Sequence, residues 1–154
     1  MTASDNDARR SARKYLQRFR SATLELDSLS DERERIMTVL YSITSDPSND
    51  GGSQCSSDNV GNGVASLVDL VTRIDDEIKR YISVRDDVRH VVRAVMRRNI
   101  TLGQCLHYRY IDFRSAETTA YDMGYTTGHE RKIHGMALRE AAIAIEEKMS
   151  GNAR

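Results

Sequence analysis

Between Arg114 and Lys132 the chain gathers side chains suited to meeting a polyanion. Arg131 and Lys132 are cations that can contact phosphate or guanine, and Thr127 and His129 are of a size to approach base edges. Ser115 and Thr126 stand where helix N-termini can meet phosphates, and Arg114 adds a cation beside them. This is recognition chemistry rather than catalysis. The chain has no Gly-rich phosphate loop, no nucleophile elbow, no His-x-x-x-His pair and no isolated carboxylate pair on an apolar face, so no enzyme is expected. Cys105 and His107 lie two apart on a predicted helix and point in different directions. Cys55 and Cys105 form no Cys-x-x-Cys pair and have no His at ligand spacing. Neither a metal, a cofactor nor a disulfide scaffold is therefore expected.

Three short elements must position these residues. Thr101 can cap a helix holding Leu102, Cys105, Leu106, Tyr108 and Ile111, which a turn at Asp112-Phe113-Arg114 ends. Ser115 is a good cap for a second helix, Ala116 to Met123, and Thr126 or Thr127 for a third that runs through Ile145. Ala120 is small where the second and third helices would cross. Gly124 can take the left-handed conformation that stops the second helix abruptly. Met123, Tyr125 and Ile133 are expected to fill the small core beneath the crossing, leaving Thr127, Gly128, His129, Arg131 and Lys132 outward. Two short helices around a tight Gly-containing turn form the helix-turn-helix layout, whose second helix reads duplex DNA in the major groove.

Before this unit lie two long periodic series. Tyr15, Phe19, Ala22, Leu26, Leu29, Arg33, Ile36, Leu40 and Ile43 recur at an average spacing of about 3.5, as in a coiled coil. So do Val64, Leu67, Val71, Ile74, Ile78, Tyr81, Arg85, Val88, Val92 and Val95. Each stripe is interrupted by one arginine, Arg33 or Arg85, expected to lay its stem along the seam while its head reaches water. Residues 46–63 are rich in Ser, Asn, Asp and Gly and read as a flexible loop, with Ser57 or Asp58 capping the second helix. The expected architecture is all-α. Residues 1–99 form a long antiparallel, coiled-coil-like helical hairpin, and residues 100–148 a helix-turn-helix unit of three helices. A two-helix seam leaves apolar surface open, so self-association through the hairpin, or docking of the C-terminal part against it, is expected.

Composition agrees with long helices. The 154 residues are 39% apolar and 30% charged, with no Trp, two Phe and a single proline, Pro47. Net formal charge is zero, which argues against a generic polyanion binder and makes any DNA contact depend on a local patch. Two basic runs could supply one: Arg9, Arg10, Arg13, Lys14, Arg18 and Arg20 near the start, and Arg89, Arg93, Arg97 and Arg98 at the end of the second long helix. An antiparallel hairpin would bring both to one tip. No stretch approaches ~18 consecutive apolar residues, so neither a membrane span nor a secretory leader is expected, and the expected location is the cytoplasm.

Leu106-His107-Tyr108-Arg109-Tyr110-Ile111-Asp112, Ser115-Ala116-Glu117, Ala120-Tyr121-Asp122-Met123-Gly124-Tyr125-Thr126 and His134-Gly135-Met136-Ala137-Leu138 resemble sigma-70 region 4-like domains. Together with Ala12 to Leu16 and the stretch Ser56 to Gly61 leading into Val64 to Leu70, they resemble small phage and mobile-element regulators of the RinA/ArpU type. The resemblance implies a transcriptional regulator that reads promoter DNA in a bacterial host cytoplasm, with RNA polymerase as a further partner. Thr119, Gly128 and Glu130 depart from that pattern. Glu130 stands where an apolar residue would enter the core, so it must turn outward or pair with Arg109 or Arg114. Two other readings stay open: a DNA-packaging subunit of small-terminase type, and a helical interaction or inhibitor protein with a degenerate helix-turn-helix.

Overall fold

The computed structural model describes residues 2–45 and 57–151 and is all-helical, with no strand among them. Helix α1 runs Ala3–Thr44 and α2 Ser57–Arg98. Each has 42 residues, about 63 Å at ~1.5 Å per residue. Helix α3 (Ile100–Leu106) continues into a π-helical turn, His107–Ile111. Helices α4 (Ala116–Met123) and α5 (Thr127–Gly151) follow. No helix among the described residues is long and apolar enough to cross a membrane.

Two compact units emerge, and they cut across the division at residue 99 that the sequence suggests. One comprises Met1–Thr23 with Ser83–Arg154, the other Leu24–Ile82. In the first, Ala12, Leu16 and Phe19 of α1 and Val88, Val91, Val92 and Val95 of α2 share one core with Leu102, Cys105, Leu106 and Tyr110. Ile133, Ala137, Leu138, Ala141 and Ala144 of α5 close it. Alanines three or four apart let α5 approach closely, and this added cover widens the long helices' stripes: Ala12, Leu16 and Val91, outside the 3.5-residue seam, are buried as well.

In the second unit the seam is thin. Leu26, Leu29 and Ile74 are buried, whereas Ile36, Leu40, Val64, Leu67, Val71 and Ile78 are only half-buried and Ile43 is exposed. Arg33 Nε donates to Asp75 Oδ1 at 2.6 Å, holding that carboxyl below its ordinary range. Both side chains stay partly in water, and the Arg33 head ends on the Asp75 carboxylate rather than in solvent alone. In the first unit Arg85 instead stacks its guanidinium over the Phe19 ring at 4.9 Å.

The predicted loop is shorter at its end than composition suggests. Residues 57–63 are helical, and residues 46–56, with Pro47 and Cys55, lie outside the described residues. Propagating an existing helix needs no new nucleus, and Gly61 and Gly63 meet nothing within 4 Å, so they weaken this first turn without obstructing it. Asn99, not Thr101, caps α3, its side chain accepting from the Leu102 N–H at 3.2 Å.

Candidate nucleic-acid interface

Ser115 caps α4 by accepting from the Thr118 N–H at 3.1 Å, and Gly124 ends that helix at φ 71°. The Gly124 and Tyr125 N–H groups return to the last carbonyls of α4, so only two further residues separate Gly124 from α5. Thr126 caps α5, its hydroxyl accepting from the His129 N–H at 3.2 Å. The buried face of α5 then carries Ile133, Ala137 and Leu138, while His129, Arg131 and Lys132 are exposed and Thr127 is half-buried.

Beneath this surface lies a polar layer. Glu130 is only 1% exposed, in contact with the Cys105 thiol at 3.8 Å and with Arg109 Nε at 3.9 Å. Of the two ways to accommodate this carboxyl, the chain uses inward pairing with Arg109. Arg114 is engaged elsewhere, paired with Asp122 and Asp112 and stacked over the Tyr108 ring at 4.3 Å. Burial, reinforced by the Glu130 charge, pushes the Cys105 thiol up to about 12, so it is no nucleophile. Thr119 is buried with its hydroxyl lacking a partner. Tyr125, expected in the core, instead packs edge-on against His129 at the surface, 4.7 Å between ring centroids. A phenol in a small apolar core would leave its O–H unpaired, which outweighs the area gained.

The π-helical turn re-aims the side chains around it. Its bond from the Asp112 N–H to the His107 carbonyl, 3.0 Å long, accommodates one more residue than an α-turn. Arg109 thereby reaches Glu130, and the Tyr110 hydroxyl meets His134 Nε2 at 3.0 Å. Phe113 then adopts φ 58°, an unfavourable value for a residue with a Cβ, and its ring packs against Phe19 at 5.9 Å.

Beside α5 opens a cleft of about 990 Å³. Its arginines come from four places: Arg9, Arg10, Arg13 and Arg20 of α1, Arg109 of the π-turn, Arg114 before α4, and Arg131 of α5. Arg9 pairs with Asp5 at 3.1 Å, and Asp5 also binds Arg139 of α5 at 2.6 Å, fixing the start of α1 against α5. Among the described residues no carboxylate lies within ion-pair distance of Arg10, Arg13, Arg20 or Arg131. His134 also lines this cleft, and burial next to Arg109 and Arg13 pushes its pKa down to about 4.

The sequence-predicted site residues thus divide. Ser115, Arg114 and Arg131 line the cleft; Thr126, Thr127, His129 and Lys132 lie at the start of α5 outside it. Of the two basic runs, only the first contributes to the cleft. Arg89 pairs with Asp86 and covers Phe19, and Arg98 pairs with Glu140 and Glu147. Arg109, foreseen only as a partner for Glu130, also faces the cleft. The signal for its α1 wall is the spacing of Arg10, Arg13, Gln17 and Arg20 along one helical face. Among the described residues no cluster of His, Cys, Asp or Glu could hold a metal ion. No protein-family model, no curated protein and no solved structure matches the chain.

Proposed function

We propose that this chain binds duplex DNA and acts as a sequence-reading transcriptional regulator of phage or mobile-element type. In this reading α1 and α2 form the antiparallel hairpin, and α4, the Gly124 turn and α5 form the helix-turn-helix, with α5 entering the major groove. The supporting observation is the pairing of an exposed basic start of α5, carrying His129, Arg131 and Lys132, with an adjacent cleft in which Arg10, Arg13 and Arg20 have no carboxylate within ion-pair distance among the described residues. In a chain of zero net charge, seven arginines lining one hollow supply a local patch of the kind DNA binding requires. Thr127 and His129 then approach base edges, Lys132 and Arg131 reach phosphate or guanine, and Ser115, Thr126 and Arg114 meet the backbone. RNA polymerase is the expected protein partner at a promoter, in a cytoplasmic setting.

A second reading draws on the apolar residues exposed in the unit Leu24–Ile82: Leu24 at 63%, Tyr41 at 75% and Val68 at 48%. Such surface favours self-association, as a packaging subunit of small-terminase type or an interaction protein would require. Selection from a random duplex library, with light scattering on the same sample, separates the readings. A regulator enriches one sequence as a monomer or dimer, a packaging subunit forms a ring, and an interaction protein shifts no duplex. Arg131→Ala with Lys132→Ala should lower duplex affinity at least tenfold with helicity unchanged; full affinity in that variant rejects the assignment of α5.

A further inference from the structure

We propose that the arginine cleft is a backbone site, holding successive phosphates of one strand of the same duplex whose groove receives the start of α5. It rests on the DNA-binding reading and adds a second contact region, contributed by α1, outside the predicted helix-turn-helix.

Three observations converge on it. The first is charge. Arg10, Arg13, Arg20 and Arg131 face a shared hollow with no carboxylate in ion-pair range among the described residues. The one acidic residue lining it, Glu130, is buried and turned to Arg109. Like charges so gathered repel until an anion enters. The second is shape. Arg10 to Arg20 spans about 15 Å along α1 at ~1.5 Å per residue. That is a row rather than a point, so its cations can meet successive phosphates of one strand rather than a single anion. A single small anion needs its donors to converge, whereas a strand needs them in series, and guanidinium forks suit phosphate oxygens in pairs.

The third is rigidity and continuity. The bridge from Arg9 through Asp5 to Arg139 fastens the α1 wall to α5. Gly135 lies against this wall, where a Cβ would stand 3.3 Å from the Arg9 guanidinium. Ser115 and Arg131 lie on the cleft's border with the predicted reading surface, so a strand passing Ser115 enters the row directly.

Fluorescence anisotropy with a random-sequence duplex, over a series of salt concentrations, tests this. Arg10→Ala, Arg13→Ala and Arg20→Ala combined should weaken binding ten- to a thousandfold, equally for every sequence. The slope of log affinity against log salt should become shallower by about 2–3, at ~0.9 for each phosphate no longer neutralised. All three side chains are exposed, so helicity should not change. His129→Ala with Lys132→Ala should instead reduce discrimination between sequences. If the parent protein binds duplex and the triple variant keeps its affinity and slope, the backbone site is overturned and the DNA reading stands. If the parent protein binds no duplex, both fall. If the triple variant loses only inorganic tripolyphosphate binding, with duplex affinity intact, the cleft takes free phosphate and the backbone site is overturned.

Discussion

The Tyr110 hydroxyl and His134 Nε2 are 3.0 Å apart, and the two rings stack with centroids separated by 5.8 Å. The pair ties the π-turn to α5 inside the first unit and forms part of the cleft wall. Its consequence is a pH dependence. Burial, with Arg109 and Arg13 adding to it, pushes His134 down to about 4 from an ordinary 6.5. Between these values the unfolded chain holds the proton and the folded chain does not, so stability falls as pH drops from 6.5 towards 4. The loss approaches about 3 kcal/mol at most. The lowered carboxyls of Asp5 and Asp75, ordinarily at 3.8, act below that window, and that of Glu117, ordinarily at 4.5, acts only at its lower edge. Urea melts at pH 7 and pH 5 should give a drop in midpoint that His134→Gln removes. An equal drop in the variant assigns the effect elsewhere.

Glu130 predicts an asymmetric pair of substitutions. Arg109→Ala strips a buried carboxyl of its cationic neighbour and should cost about 2–3 kcal/mol, somewhat below the usual figure for a broken buried pair because Arg109 is itself a quarter exposed. Glu130→Met replaces the same buried carboxyl with an apolar chain of similar volume beside Cys105, and should be neutral or stabilising by ~1 kcal/mol. Chemical denaturation of both variants checks this. A Glu130→Met protein that loses as much as Arg109→Ala would mean the carboxyl has further partners that matter.

What was legible follows the range of each interaction. Ser115 as a cap, Gly124 in the left-handed region and helix Ala116 to Met123 depend on neighbours within about four residues, and the sequence carries that information in full. The burial of Phe19, Leu26, Leu29 and Ile74 was readable because the period of an amphipathic stripe is set by helix geometry alone. The burial of Ala12, Leu16 and Val91 was not, because it depends on α5 arriving from a distant part of the chain. The π-turn at His107–Ile111 was hidden too, since its residues have ordinary helical preferences and the extra residue is accommodated by its packing on α5. For the cleft, the arginine row on α1 was visible as a basic run. Which other basic residues joined it was not: in the second run Arg98 is engaged by Glu140 and Glu147, and Arg89 by Asp86 and Phe19.

Two glycines should respond in opposite directions. At Gly103 a Cβ would stand 2.7 Å from the Met96 backbone nitrogen and closer still to its Cα and Cβ. The corner from α2 into α3, closed by the Asn99 cap, exists only because position 103 has no side chain. Backbone cannot rotate aside as a flexible side chain can, so Gly103→Ala must spread the two helices and disturb Leu102, Cys105 and Leu106 in the core. The cost should be about 3 kcal/mol or more. Gly128, in the first turn of α5, meets nothing within 4 Å and lies in a helix at ordinary dihedrals, so Gly128→Ala should stabilise by roughly 0.5–1 kcal/mol. Thermal melts of both variants decide it. A Gly103→Ala protein as stable as its parent would mean that α2 and α3 do not meet at Met96. The core under α5, and with it the outward presentation of His129 and Lys132, would then need a different packing.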